Sequence, residues 1–137
     1  MSESDKTSKS EDPSYLIDLD WFQENDRCFA AIACHCLCSA CQERLASELM
    51  EVEVGSLVVG IKDCCSKAPG FVNSKLSLLE KIFRIFLSNG NEPLTPAELI
   101  SQLAIYSETP VLVSTQTIKC LLDNDKYYGF SQRPWRR

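Results

Sequence analysis

A chain of 137 residues with eight cysteines, one histidine and a formal net charge of −5 can bury a core without covalent staples. Its length suits one domain or two small ones, and its cysteine content lies below the density of a short secreted disulfide scaffold. Hydrophobic residues at 45% and charged residues at 24% exclude a wholly disordered or fibrous chain.

Met1 to Ser14 carries no apolar stretch that could act as a secretory core, and no later run approaches the roughly 18 apolar residues that span a bilayer. The expected setting is cytoplasmic and reducing, where clustered cysteines point to a metal or to redox chemistry before structural disulfides. Charge is divided unevenly. Met1–Gly70 holds 6 basic and 13 acidic residues, whereas Phe71–Arg137 holds 8 basic and 6 acidic. The expected organisation is a disordered tail over 1–14, a helical cysteine-rich zinc-binding region over 15–70, a second domain over 74–131 and a basic tail over 132–137. The break falls at Lys67-Ala68-Pro69-Gly70, where Pro and Gly end a helix.

In the first half, Asp20 is placed to cap a helix starting near Trp21. From Cys28 to Met50 the apolar residues Phe29, Ile32, Ala33, Leu37, Leu45 and Leu49 recur mainly at helical intervals, interrupted over Cys38–Cys41. Ser56–Ser66 reads as a further helix, with a strand as its rival because Val52, Val54, Val58 and Val59 are β-branched.

Cys38-Ser39-Ala40-Cys41 is a CxxC pair, and 22 residues separate it from the vicinal pair Cys64-Cys65. Zinc takes four thiolate or imidazole ligands in a tetrahedron, supplied by two short-spaced pairs from separate segments. A vicinal pair serves when it lies at a helix end and both side chains turn to the ion. Cys38, Cys41, Cys64 and Cys65 are therefore assigned to a structural Zn2+ site, with Cys34, His35 or Cys36 as substitutes for one ligand. Two other readings stay open. Cys34, Cys38 and Cys41 also fit one buried helix face. A CxxC redox pair is the other, although no strand precedes Leu37 as a thioredoxin-type motif requires. Cys28 and Cys120 read as packing thiols.

The second half is rich in helix signals. Leu76, Leu79, Ile82, Phe83, Ile85, Phe86 and Leu87 make an apolar helix closed by Asn89-Gly90-Asn91. Thr95-Pro96-Ala97-Glu98 combines a cap, a first-turn proline and a capping box, with Leu94 and Leu99 as a hydrophobic staple. This short helix turns Leu99, Ile100 and Leu103 inward. Pro110–Val113 reads as extended, Ser114 caps a third helix bearing Ile118, Leu121 and Leu122, and Tyr127, Tyr128 and Phe130 read as a final strand.

That order over Ser74–Phe130 resembles a winged helix-turn-helix. Asn89–Ile100 followed by Val113–Ile118 is similar to the HARE-HTH type found in the delta subunit of bacterial RNA polymerase. The fold class expected is mainly α, a helical zinc-binding region followed by a small winged-helix-like domain with short strands. The resemblance implies that the third helix enters the DNA major groove. Ser114, Thr115, Gln116, Thr117 and Lys119 then become candidate nucleic-acid contacts, with Arg133, Arg136 and Arg137 on phosphate. Lys119 is the sole basic residue of that helix, with Asp123 and Asp125 at its end. Two functions follow. One is a zinc-binding, DNA-binding or transcription-associated regulator, meeting duplex DNA or a transcription-machinery protein. The other is a protein-interaction module with the same zinc site and no nucleic-acid binding. No small-molecule substrate and no membrane partner are expected. Nor is an enzyme, since no P-loop, Rossmann glycine pattern, HExxH or histidine–nucleophile pair is present.

Overall fold

The computed structural model describes residues 13–45, 53–68, 70–73, 75–107 and 111–133. The expectations on residues 1–12, Leu49, Val52, Pro69, Ser74, Pro110, Arg136 and Arg137 lie outside these. The chain is mainly helical. In order it forms β1 (Ser14–Ile17), α1 (Leu19–Glu24), α2 (Phe29–Ala33), a 3-10 turn at Cys34–Cys36, α3 (Ser39–Leu45) and α4 (Val54–Asp63). A second 3-10 turn at Cys65–Lys67 is followed by α5 (Leu78–Ser88), α6 (Pro96–Tyr106), α7 (Thr115–Asp123) and β2 (Phe130–Arg133). No helix among the described residues is long and apolar enough to cross a membrane.

Helix α5 is the centre of the packing. Ile82, Phe83, Ile85, Phe86 and Leu87 are all buried, so apolar side chains surround most of its circumference, the mark of an interior helix. It packs against α4, α6, β1 and the Cys65–Lys67 turn. Ser77 caps its start by accepting from the Glu80 N–H. Its end turns through Gly90 at φ 77°, the left-handed conformation that glycine adopts without penalty. Thr95 and Glu98 form the expected capping box of α6, and Ser114 caps α7 through the Thr117 N–H.

At the first helix the cap differs from expectation: Asp18, not Asp20, accepts from the Asp20 N–H, and the helix starts at Leu19. The earlier start fits the chain leaving β1 at Ile17. Residues 111–113 form no strand, and the final strand begins at Phe130. Its partner is distant in sequence. Strand β2 runs antiparallel to β1, with Ser14 opposite Arg133 and Ile17 opposite Phe130. Tyr15 also exchanges backbone hydrogen bonds of 2.8 and 2.9 Å with Leu94. One buried cluster accordingly runs from Tyr15 through Phe29, Ile61, Phe83 and Leu99 to Ile118 and Phe130.

Entry into β2 depends on Gly129. Its φ is 74°, and a Cβ there would stand 3.0 Å from the Phe22 ring and 3.1 Å from that of Trp21. Space and backbone conformation both require glycine.

Candidate metal centre

Two chain reversals bring four sulfurs together. After the Cys34–Cys36 turn the backbone extends at Leu37 (φ −74°, ψ 141°), which places Cys38 just ahead of α3 and Cys41 in its first turn. Gln42 secures this reversal. Its backbone N–H donates to the Cys38 carbonyl at 2.9 Å, and its side-chain Nε2 donates to the carbonyls of Leu37 at 3.2 Å and Cys34 at 3.3 Å. On the other side α4 stops at Asp63. Cys64 adopts φ −123°, ψ −64°, and the chain tightens into the second 3-10 turn at Cys65. The change of backbone direction between neighbours lets both side chains reach one point.

The sulfurs of Cys38, Cys41, Cys64 and Cys65 all lie within 4.8 Å of one another. Individual separations are 3.8 Å for Cys38–Cys64, 3.6 Å for Cys41–Cys64 and 3.6 Å for Cys38–Cys65. Four sulfurs at the Zn–S distance of about 2.3 Å would form a tetrahedron with edges of about 3.8 Å. The cluster has the size and donor set to hold a metal ion. None of the eight cysteines is in a disulfide.

Local electrostatics favour thiolate at one position. The Cys41 backbone N–H, aided by the Cys65 side chain, lowers the Cys38 thiol to about 7. Cys38 also stands at the start of α3, where backbone N–H groups favour negative charge. The other three thiols are raised. Burial does so for Cys41 and Cys65, and hydrogen bonding to Cys41 and Cys38 does so for Cys64. These three crowded sulfurs thus keep protons that a cation would displace. The Cys38 backbone N–H donates to the Cys65 sulfur at 3.2 Å, a contact suited to a thiolate.

The suggested substitute ligands are not members of the four-sulfur cluster. Cys34 Sγ lies 3.0 Å from the Ala31 carbonyl, His35 is exposed, and Cys36 is buried, its thiol pushed up to about 12 by desolvation. Cys28 is partly buried against the core. Cys120 is exposed, contrary to its expected packing role, because α7 turns Ile118 and Leu122 inward instead.

Arg84, which sequence reasoning passed over, braces the first reversal from α5. Its guanidinium donates to the His35 and Phe71 carbonyls, each at 3.0 Å, and pairs with Glu80 at 2.8 Å. The available signal was a Glu80/Arg84 pair, four residues apart, in an otherwise apolar helix.

The candidate nucleic-acid residues divide differently. Ser114 and Thr117 are spent on capping α7 and lie 3.0 Å apart through their hydroxyls. Thr115 and Gln116 are exposed on its first turn. Lys119 pairs with Asp123 at 3.0 Å. Arg133 ends β2, and Arg136 and Arg137 lie beyond the described residues. The structure thus gathers the four cysteines at one point. Comparison of the chain with protein-family models, curated proteins and solved structures finds no match.

Proposed function

We propose that Cys38, Cys41, Cys64 and Cys65 hold one structural zinc ion, and that the helical module it stabilises acts by binding a protein surface. The observation that carries the metal reading is the sulfur cluster, whose 3.6–3.8 Å edges fit a four-coordinate thiolate site. Thiolate ligands suit zinc, and four of them leave no open position for water or substrate. The ion would pin the start of α3 to the end of α4, and its role is folding.

A protein partner is favoured by the surface of the second half. Lys119 is the only cation on the helix that would enter a groove, and its charge is already matched by Asp123. Ile105, at the end of α6, is 70% exposed, and Leu112, just before α7, is 91% exposed. Apolar side chains outside the core suit protein contact better than phosphate. The resemblance to a HARE-type winged helix makes a transcription-machinery protein the partner class. Duplex DNA is the second reading, favoured by the exposed Thr115 and Gln116.

Metal analysis of protein purified without added zinc tests the first part, with about one zinc per chain expected. Metal-free, folded protein would overturn it. A gel shift with duplex DNA at low salt tests the second. No shift is expected. A shift weakened by Lys119→Glu and by removal of residues 134–137, which leaves β2 whole, would establish the DNA reading instead.

A further inference from the structure

The four ligand sulfurs are unequally shielded. Cys65 is fully buried and Cys41 nearly so, Cys38 is partly exposed, and Cys64 is exposed at the end of α4. A metal would hold all four sulfurs as thiolates, so access decides which of them an oxidant arriving from solvent meets first, and Cys64 is the exposed one. Two resolving sulfurs already stand beside it, Cys41 at 3.6 Å and Cys38 at 3.8 Å. Its chain neighbour Cys65 is poorly placed for a disulfide, since adjacent Cα atoms lie only about 3.8 Å apart, shorter than an ordinary disulfide spans.

We propose that the cysteine cluster is a peroxide-sensitive switch, in which oxidation at Cys64 expels the metal and leaves a disulfide containing Cys64. The inference rests on the zinc reading of the site and adds its regulation. In the first step the Cys64 thiolate attacks one peroxide oxygen. An S–O bond forms, the O–O bond breaks, and hydroxide leaves. In the second step the thiolate of Cys41 or Cys38 attacks the Cys64 sulfur of the resulting sulfenic acid. An S–S bond forms, the S–O bond breaks, and a second hydroxide leaves. Two thiolates lose two electrons in total, and one hydrogen peroxide becomes two hydroxides, which solvent protonates to water. The two thiolates left over cannot hold a tetrahedral ion. The new disulfide still joins the start of α3 to the end of α4, so metal leaves while the helices stay tethered.

The experiment uses the full chain carrying Cys120→Ser, which removes the exposed thiol outside the cluster. Metal content is measured first, and its absence would overturn the zinc reading and the switch with it. Hydrogen peroxide is then added in steps, with a chromogenic chelator reporting zinc, peptide mapping locating the disulfide and circular dichroism following helix content. About one zinc released per peroxide consumed is expected, together with a Cys64–Cys41 or Cys64–Cys38 disulfide and retained helicity. Dithiothreitol and added zinc should restore the starting state. Metal retained under peroxide, or released with a Cys38–Cys41 disulfide, would overturn the switch while leaving the zinc reading intact. Cys64→His keeps a zinc-ligating side chain that forms no disulfide, and its release should be slower by about tenfold or more. If that variant holds no metal, the first sulfur modified in the parent chain decides, and any cysteine other than Cys64 refutes the inference.

Discussion

The phenol of Tyr15 donates to Oδ1 of Asp123 at 2.7 Å, tying the first strand to the last helix across 108 positions. Tyr15 is fully buried, and its oxygen also accepts from Gln132 Nε2 at 3.3 Å. Asp123 uses its other oxygen for Lys119. Tyr15→Phe keeps the ring and removes both bonds to the hydroxyl. The expected cost is about 1–2 kcal/mol, because Asp123 reaches solvent and does not strand a buried charge. Urea unfolding at neutral pH measures it, and an unchanged midpoint would show that the bond contributes nothing net.

Alkaline pH should weaken the fold through two buried acids. Burial pushes Cys36 up to about 12 from an ordinary value near 9, and burial and then the Asp123 bond raise Tyr15 above its usual 10. Each folded group holds its proton over a range where the unfolded group has lost it. The stability this represents is complete below pH 9 and drains away as pH rises toward 12. For Cys36 the loss is on the order of a few kcal/mol. Unfolding midpoints should hold level from pH 7 to about 9 and fall from there to pH 11, less steeply in Cys36→Ala. An identical slope in that variant would assign the effect to other groups.

Asn91 substitutes for a missing strand. Its side chain accepts from the Ile17 N–H and donates to the Ile17 carbonyl, both at 2.8 Å, and its own φ is 63°. Asn91→Ala loses two hydrogen bonds and places a Cβ residue in left-handed space, at an expected cost of about 2–4 kcal/mol. Asn91→Gly loses the same bonds without that steric penalty and should be less destabilised by about 1 kcal/mol. Equal losses in the two variants would remove the conformational part of the explanation.

Removing metal should matter most where the cysteines are buried. Chelation is expected to lower the melting temperature by roughly 10 °C or more, since the proposed ion would bridge two helices. Cys41→Ser and Cys65→Ser should abolish metal binding, and differential scanning calorimetry with and without chelator should then give superimposable curves. A chelator-sensitive transition surviving in either variant would place the metal elsewhere.

Thr95→Ala tests the cap of α6 in isolation. Thr95 Oγ1 accepts from the Glu98 N–H at 3.2 Å, and Glu98 Oε1 accepts from the Thr95 N–H at 2.8 Å. Loss of about 1 kcal/mol is expected, read by thermal unfolding, and Glu98→Ala should cost less because the hydroxyl bond remains.

Local features were legible because their causes lie within a few residues. The α6 capping box needs only Thr95 through Glu98, and Ser114 and Gly90 act on their own turns. The cysteine pairs were legible for a chemical reason, since a CxxC turn and a vicinal pair at a helix end can offer four sulfurs to one ion. The first cap was misplaced by two residues because Asp18 and Asp20 both satisfy the capping rule, and only the exit from β1 distinguishes them.

The sequence by itself determined the helical character, the main helix boundaries of the second half and the four thiols to consider. It also contained the uneven charge of the two halves. Tertiary structure decided which strand pairs with Phe130–Arg133, and it chose β1 from the opposite end of the chain. It alone joined Tyr15 to Asp123 and Asn91 to Ile17, placed Arg84 beneath the cysteine reversal, and left Cys64 as the exposed member of the cluster. Helix caps and turns are set by neighbouring backbone groups, so the order of residues specifies them. Strand partners, cross-chain hydrogen bonds and unequal exposure arise only when distant segments pack around one core, and sequence spacing carries little information about that step.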